Sequence, residues 1–338
     1  MIRTVVIKNL RGIREGQLEG LTPLVVLVGP NGSGKSTVLD ALWIGASATP
    51  GRTVGEVVAR RGTHDLGPRW LLWKLGELGP ARIAIVPGGR SRVLSWKAID
   101  SKSLIDYLRK NDCSEPFMGI ECSSDEVGIK QVATTAFVSD EQFGISATGS
   151  DPLPSIAPDV RFLDPSRATV PLHQLYSDAV IAGRRQDALE LVRAVVPGIS
   201  NLEILTHPNP ALHMVFPDGS VPVALAGDGI QALVRLTLEA VTRSKGLVLI
   251  EEPEVHQHPA ALRQSAKAIV ASVRRGTQVI LSTHSLELID ALLAEATPED
   301  LKLFSTYRLR LQQGKLETSR LTGEEMAFSR GQIEDDLR

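Results

Sequence analysis

The run Gly29-Pro30-Asn31-Gly32-Ser33-Gly34-Lys35-Ser36-Thr37 constrains the fold of this chain more than any other segment, because it fits GxxxxGK[ST] throughout. Such a loop works only where a buried strand gives way to a helix. Both are present in the sequence: Leu24 to Val28 is an uninterrupted apolar strand, and Ser36 to Trp43 has helical patterning. Glycines at 29, 32 and 34 let the main chain wrap so that successive N–H groups face one anion, and the helix start adds the positive end of its dipole. By position, Lys35 reaches the β- and γ-phosphates of a nucleotide, Ser36 offers its hydroxyl to Mg²⁺ and Thr37 touches the α-phosphate. Pro30, Asn31 and Ser33 complete the cradle.

A second apolar strand, Leu247 to Ile250, runs into Glu251-Glu252-Pro253-Glu254. Acids at the C-terminal end of a parallel strand lie where such sheets bind ligands. Glu251 is the expected Mg²⁺ ligand, and Glu252 is the general base that polarises the attacking water. A third strand, Val279 to Ser282, ends in Thr283-His284-Ser285, where His284 is placed to sense a γ-phosphate. Lys35, Glu252 and His284 are thus the expected catalytic set.

The rest of the pattern predicts an α/β fold: a mixed parallel sheet, an antiparallel sheet and a helical lobe. Residues 51–100 read as short strands with a hairpin at 82–86 and 91–96, and 101–160 as an irregular region with one helix from Ser103 to Lys110. A helix is expected from Arg184 to Val195, strand–helix alternation from Gly229 to Thr283, and a hairpin around Gln313-Gly314. The whole, 1–338, is expected as one domain with an N-terminal lobe (1–100), an insert (101–205) and a C-terminal lobe (206–338).

These residues resemble ABC-type ATPases of the SMC-like and overcoming-lysogenisation-defect (OLD) classes, whose heads are built on the P-loop NTPase fold. Glu251 to Pro259, EEPEVHQHP, is similar to the family's acidic strand end, and His284 to its switch histidine. Leu225 to Gln231 is similar to the signature loop that meets ATP held by a second subunit, so Gly227, Asp228 and Gly229 are expected nucleotide contacts in trans. Gly227 stands where the family usually has serine. Lys8 to Ile13 is similar to the opening strand-turn, which makes Arg11 a candidate nucleotide contact, against an ordinary exposed turn arginine. Gln131 and Gln142 are candidates for the family's loop glutamine, and His256 and His258 suit either a metal pair or, by the family pattern, a structural turn.

The resemblance implies ATP and Mg²⁺ as ligands and a homodimer formed on ATP binding. It implies ATP hydrolysis coupled to a separate nuclease or other effector in DNA repair or phage defence. A scaffold with little turnover is the alternative. Few residues follow the hairpin near 314, and no heptad run is sustained, so neither a nuclease domain nor a long coiled-coil arm is expected. A net charge of −2 excludes a uniformly basic surface, but Arg60, Arg61, Arg69, Lys74, Arg82, Arg90, Arg92 and Lys97, with Trp70, Trp73 and Trp96 among them, form a strip that could follow a phosphate backbone or be a solvated sheet face with core tryptophans. No membrane-length apolar stretch or signal peptide is evident, so a cytoplasmic location is expected, and Cys113 and Cys122 read as ordinary thiols.

Overall fold

The computed structural model describes the chain except residues 62–66, 127, 140–141, 149–158, 165–169, 243–244, 334–335 and 337–338. It forms two compact units that interleave in sequence. One comprises Met1–Thr22, Gly29–Arg161 and Arg308–Ser319; the other comprises Pro23–Val28, Phe162–Tyr307 and Arg320–Arg338.

The first unit holds an antiparallel sheet. Thr4–Leu10 pairs with Ile13–Glu19 on one side and Ala81–Val86 on the other, and the ladder continues through Arg90–Ala98, Met118–Glu126, Ile129–Phe137 and Phe143–Thr148. The helices Lys35–Ala46 and Pro50–Arg61 pack on these strands. Val5, Ile7, Ile83 and Ile85 alternate inward and are buried, as period-two patterning requires.

Two expectations are corrected here. Residues 50–61 form a helix rather than short strands: Pro50 sits at its first position, where the missing N–H costs nothing, although Pro-Gly reads locally as a turn. Residues 118–148, read as irregular, supply three strands. Met118–Glu126, MGIECSSDE, is polar and is made β by its neighbours, whereas Ile129–Phe137 (IKQVATTAF) and Phe143–Thr148 (FGISAT) carry the β-branched and aromatic residues that favour strands.

The second unit is built on parallel strands. Leu24–Val28 pairs with Thr277–Ser282, which pairs with Gly246–Glu251, in register Val26↔Leu281 and Ile250↔Leu281. Leu24–Val28 and Thr277–Ser282 are buried along their whole length, the mark of a sheet covered on both faces. The helices Asp228–Thr242, Pro259–Arg274 and Leu286–Glu295 bury Val234, Leu238, Leu262, Ile269, Leu288 and Leu292 in one core with these strands. A small antiparallel sheet, Asn201–Leu205, Ala211–Phe216 and Gly219–Pro222, and the helices Leu172–Ile181 and Arg185–Arg193 belong to the same unit. The hairpin Phe304–Gln312 and Lys315–Thr322 contributes to both units. Among the described residues no helix is long and apolar enough to cross a membrane.

Candidate functional site

In the first unit the phosphate loop has the backbone its glycines allow. Gly29, Gly32 and Gly34 lie at φ +141°, +78° and +96°, a region disfavoured for residues with a Cβ. A Cβ at Gly29 would stand 2.5 Å from Leu309 O, so no other residue fits there without a shift. Gly34 caps Lys35–Ala46 in the left-handed conformation and no side chain caps that helix start, so its first N–H groups have no intrahelical acceptor. Lys35, 5% exposed, curls back over the loop and donates from Nζ to Gly29 O (2.7 Å) and Pro30 O (3.1 Å). The Ser33 hydroxyl is buried and has no hydrogen-bond partner among the described groups. An orphaned hydroxyl, a lysine resting on carbonyls and a helix start aimed into a glycine-lined loop suit a polyphosphate. Pro30 and Asn31 lie on the exposed crest, Ser36 is half-buried and Thr37 is buried.

Arg11, at φ +48° in the turn after Thr4–Leu10, is not an exposed turn arginine. Its guanidinium pairs with Asp40 on the phosphate-loop helix, and Arg60 and Arg61 join the same carboxylate, Arg61 at 3.3 Å. Burial by itself would raise the Asp40 carboxyl, but Arg60, Arg61 and Arg11 outweigh it and hold it below the ordinary carboxylate range. Burial lowers the Arg11 guanidinium.

The basic strip does not survive as a continuous cationic face. Arg60 and Arg61 serve Asp40, Arg90 (2.7 Å) and Arg92 (3.6 Å) serve Glu126, and Lys97 serves Glu121. Arg69 donates to Leu75 O (2.9 Å) and lies over the Trp96 ring. A solvated sheet face with its tryptophans in the core does not describe the strip either, since Trp70 is exposed and Trp73 and Trp96 are half-buried.

In the second unit the ends of the parallel strands gather the acids and the histidine. Glu251 closes its strand opposite Ser282. Glu252 follows in the left-handed region (φ +44°), and its N–H donates to Ser282 O (3.0 Å), so the strand end is bent and tied at the residue expected to act as base. Glu252 Oε1 stands 3.5 Å from His284 Nε2, with the two side chains 37% and 33% exposed. Thr283 N–H donates to Leu27 O (3.0 Å), which fixes the start of the His284 turn against the strand that leads into the phosphate loop.

Glu254 was not singled out in the sequence, yet its Oε1 accepts both the Thr283 hydroxyl (2.7 Å) and the His284 N–H (2.8 Å). The EEPE string gave no signal for this, because the partners lie 29 and 30 positions away. His258 caps Pro259–Arg274 by accepting from Ala260 N–H, and no group of three or more His, Cys, Asp or Glu able to hold a metal occurs among the described residues. Gln131 lies buried in Ile129–Phe137 with no partner for Oε1 among the described groups, and the Gln142 main-chain oxygen accepts from Val138 N–H (2.9 Å).

The loop resembling a signature element leads into Asp228–Thr242. Gln231 Nε2 folds back to Ala226 O (2.8 Å), Leu225 is 77% exposed, and Gly227 has open space where a Cβ would point. Gly229 differs: a Cβ there would stand 2.5 Å from His256 O, so this glycine lets the helix start approach the turn after Glu254.

Comparison with known proteins gives one consistent picture. A family described as AAA domain matches residues 4–56 and one described as AAA ATPase domain matches residues 181–289. An uncharacterised protein of Methanocaldococcus jannaschii is 35% identical over 77 residues, 22% of this chain and 68% of that protein. The Old nuclease of Escherichia phage P2 is 27% identical over 111 residues, 26% of this chain and only 19% of the nuclease. An SMC head solved with the C-terminal winged-helix domain of ScpA superposes over 96% of this chain and 98% of that one, at a TM-score of 0.53 and 14% identity, which speaks for the fold.

Proposed function

The chain belongs to the AAA-type ATPases of the SMC-like and OLD classes, and on that premise we propose that it is a nucleotide-driven switch that closes as a dimer on ATP and reopens on hydrolysis. The observation that carries this reading is the bent, tied strand end at Glu252, which holds a carboxylate 3.5 Å from His284 where the parallel strands finish.

Each residue has a task in this reading. The phosphate loop and Lys35 bind and orient the β- and γ-phosphates, Lys35 exchanging two carbonyls for phosphate oxygens. Ser36 and Glu251 are the protein oxygens that would hold Mg²⁺, which supplies positive charge to the phosphate oxygens as the bond breaks. Glu252 takes the proton of the attacking water, and His284 donates to the γ-phosphate and reports its presence. Gly227, Asp228 and Gly229 present main-chain N–H groups at a helix start to nucleotide held by a second copy. Opening and closing would act on a separate effector in DNA repair or phage defence, a role supported by the likeness to the Old nuclease.

Glu252→Gln keeps the shape of the site and removes the base. It should slow ATP turnover by about 100-fold or more and accumulate an ATP-bound dimer in sedimentation velocity with ATP and Mg²⁺. A variant that stays monomeric while the wild type hydrolyses normally would sink the mechanism. Gly227 in place of serine favours a second reading, a nucleotide-gated scaffold with little turnover, for which the wild type would already behave as the Gln variant.

A further inference from the structure

We infer that Glu254 is a positioning residue for His284: one carboxylate oxygen fixes the Thr283-His284 turn and thereby sets the imidazole beside Glu252. This deepens the reading above and rests on it for the role of His284.

The geometry is local and closed. Glu254 Oε1 accepts from the Thr283 hydroxyl (2.7 Å) and the His284 main-chain N–H (2.8 Å), and Thr283 Oγ1 in turn accepts from Ser285 N–H (2.9 Å). Ser285 caps Leu286–Glu295 by accepting from Leu288 N–H. One oxygen therefore anchors the three residues that carry His284 from its strand into the next helix.

The anchor is itself braced. Val255 N–H donates to Glu252 O, Gln257 N–H to Glu254 O and Gln257 Nε2 to Pro253 O (2.8 Å), while the Ser265 hydroxyl on Pro259–Arg274 donates to Gln257 Oε1 (2.7 Å). Glu252 is tied to the histidine's strand through Ser282 O. The base and the sensor thus hang from the same turn, and an altered reach at Glu254 changes the distance between them. The second oxygen, Oε2, is buried and without a donor among the described groups, so the hydrogen bonds of Glu254 run through Oε1 alone. A residue that fixes the orientation of an active group acts through geometry, and its effect is read in the group it holds.

The test separates acceptor reach from charge. Glu254→Gln keeps a carbonyl oxygen at the same place, Glu254→Asp keeps the charge but withdraws the oxygens by a methylene, and Glu254→Ala removes both. Ring ¹⁵N signals of His284, identified by their loss in His284→Ala, should stay in place in E254Q and move by more than a linewidth in E254D and E254A. ATP turnover should follow, with kcat reduced by up to about 100-fold in E254D and E254A, KM nearly unchanged, and E254Q close to wild type. In the H284A background, E254A should cost less than about twofold more, since it acts through the missing ring. Unmoved ring signals in E254D overturn the inference, as does an E254Q that fails while E254D is normal. If the wild type has no turnover, the hydrolytic reading fails, and the ring signals still decide whether Glu254 holds His284. Should E254A not fold, the E254Q and E254D pair carries the same decision.

Discussion

Asp40 puts a full charge inside the phosphate-loop helix with none of its surface exposed, and three guanidiniums from two other segments make that tolerable. Removing one member of a buried ionic cluster leaves the others without a partner. Arg11 and Arg61 are 27% and 26% exposed, so water relieves part of that penalty, and Asp40→Asn should cost near the lower end of the range, about 3 kcal/mol in urea unfolding. The sign of the pH dependence follows from the lowered Asp40 carboxyl. The stability it contributes is present above the unfolded carboxylate range, near pH 4, and is lost as pH falls through its folded value. The variant should accordingly show a shallower loss of stability on acidification than the wild type; equal slopes would remove Asp40 from the acid response. Lys35, Glu252 and His284 could be picked out as candidates because each stands in a short motif at the end of an apolar strand. The Asp40 cluster and the Glu254 tie could not be, since their partners stand 20 to 30 positions away.

Among the elements, the parallel strands Leu24–Val28, Gly246–Glu251 and Thr277–Ser282 are the ones the sequence located well, because each holds a short continuous apolar run, the mark of a strand covered on both faces. Met118–Glu126 escaped because pairing, not composition, makes it extended, and the short β-branched strands Ile129–Phe137 and Phe143–Thr148 escaped among the glycines, serines and prolines that surround them. The glycines before and within Asp228–Thr242 give a test at this scale. Gly229→Ala drives a Cβ to 2.5 Å from the His256 carbonyl and should cost roughly 1–3 kcal/mol, whereas Gly227→Ala meets open space and should stay within about 0.5 kcal/mol of wild type. Thermal melts of the two variants compare them directly. Equal stabilities would mean that the turn after Glu254 yields easily, which would weaken the argument that it braces His284.

At the scale of the whole molecule, the proposed switch depends on contacts made in trans by the loop at Gly227. A serine there has room, since nothing lies within 4 Å of the position its Cβ would take. One added hydrogen bond per site, hence two per symmetric dimer, should tighten the ATP-bound dimer by roughly tenfold or more, measured as Gly227→Ser in the Glu252→Gln background by sedimentation equilibrium. An unchanged dimer constant would mean that this loop does not meet nucleotide in trans.

The interleaving of the two units also bears on how the chain is made. The antiparallel unit is nearly complete by Arg161, yet it closes only with Arg308–Ser319, where Lys315 pairs with Glu15. At ordinary translation speeds the ribosome needs roughly 7 to 30 s to traverse the intervening residues. Throughout that interval the edge of Ile13–Glu19 that Lys315 later joins is open on the nascent chain, a ready template for pairing with the wrong strand. Early chaperone engagement near the N-terminus, and sensitivity of yield to synthesis rate, follow from that delay.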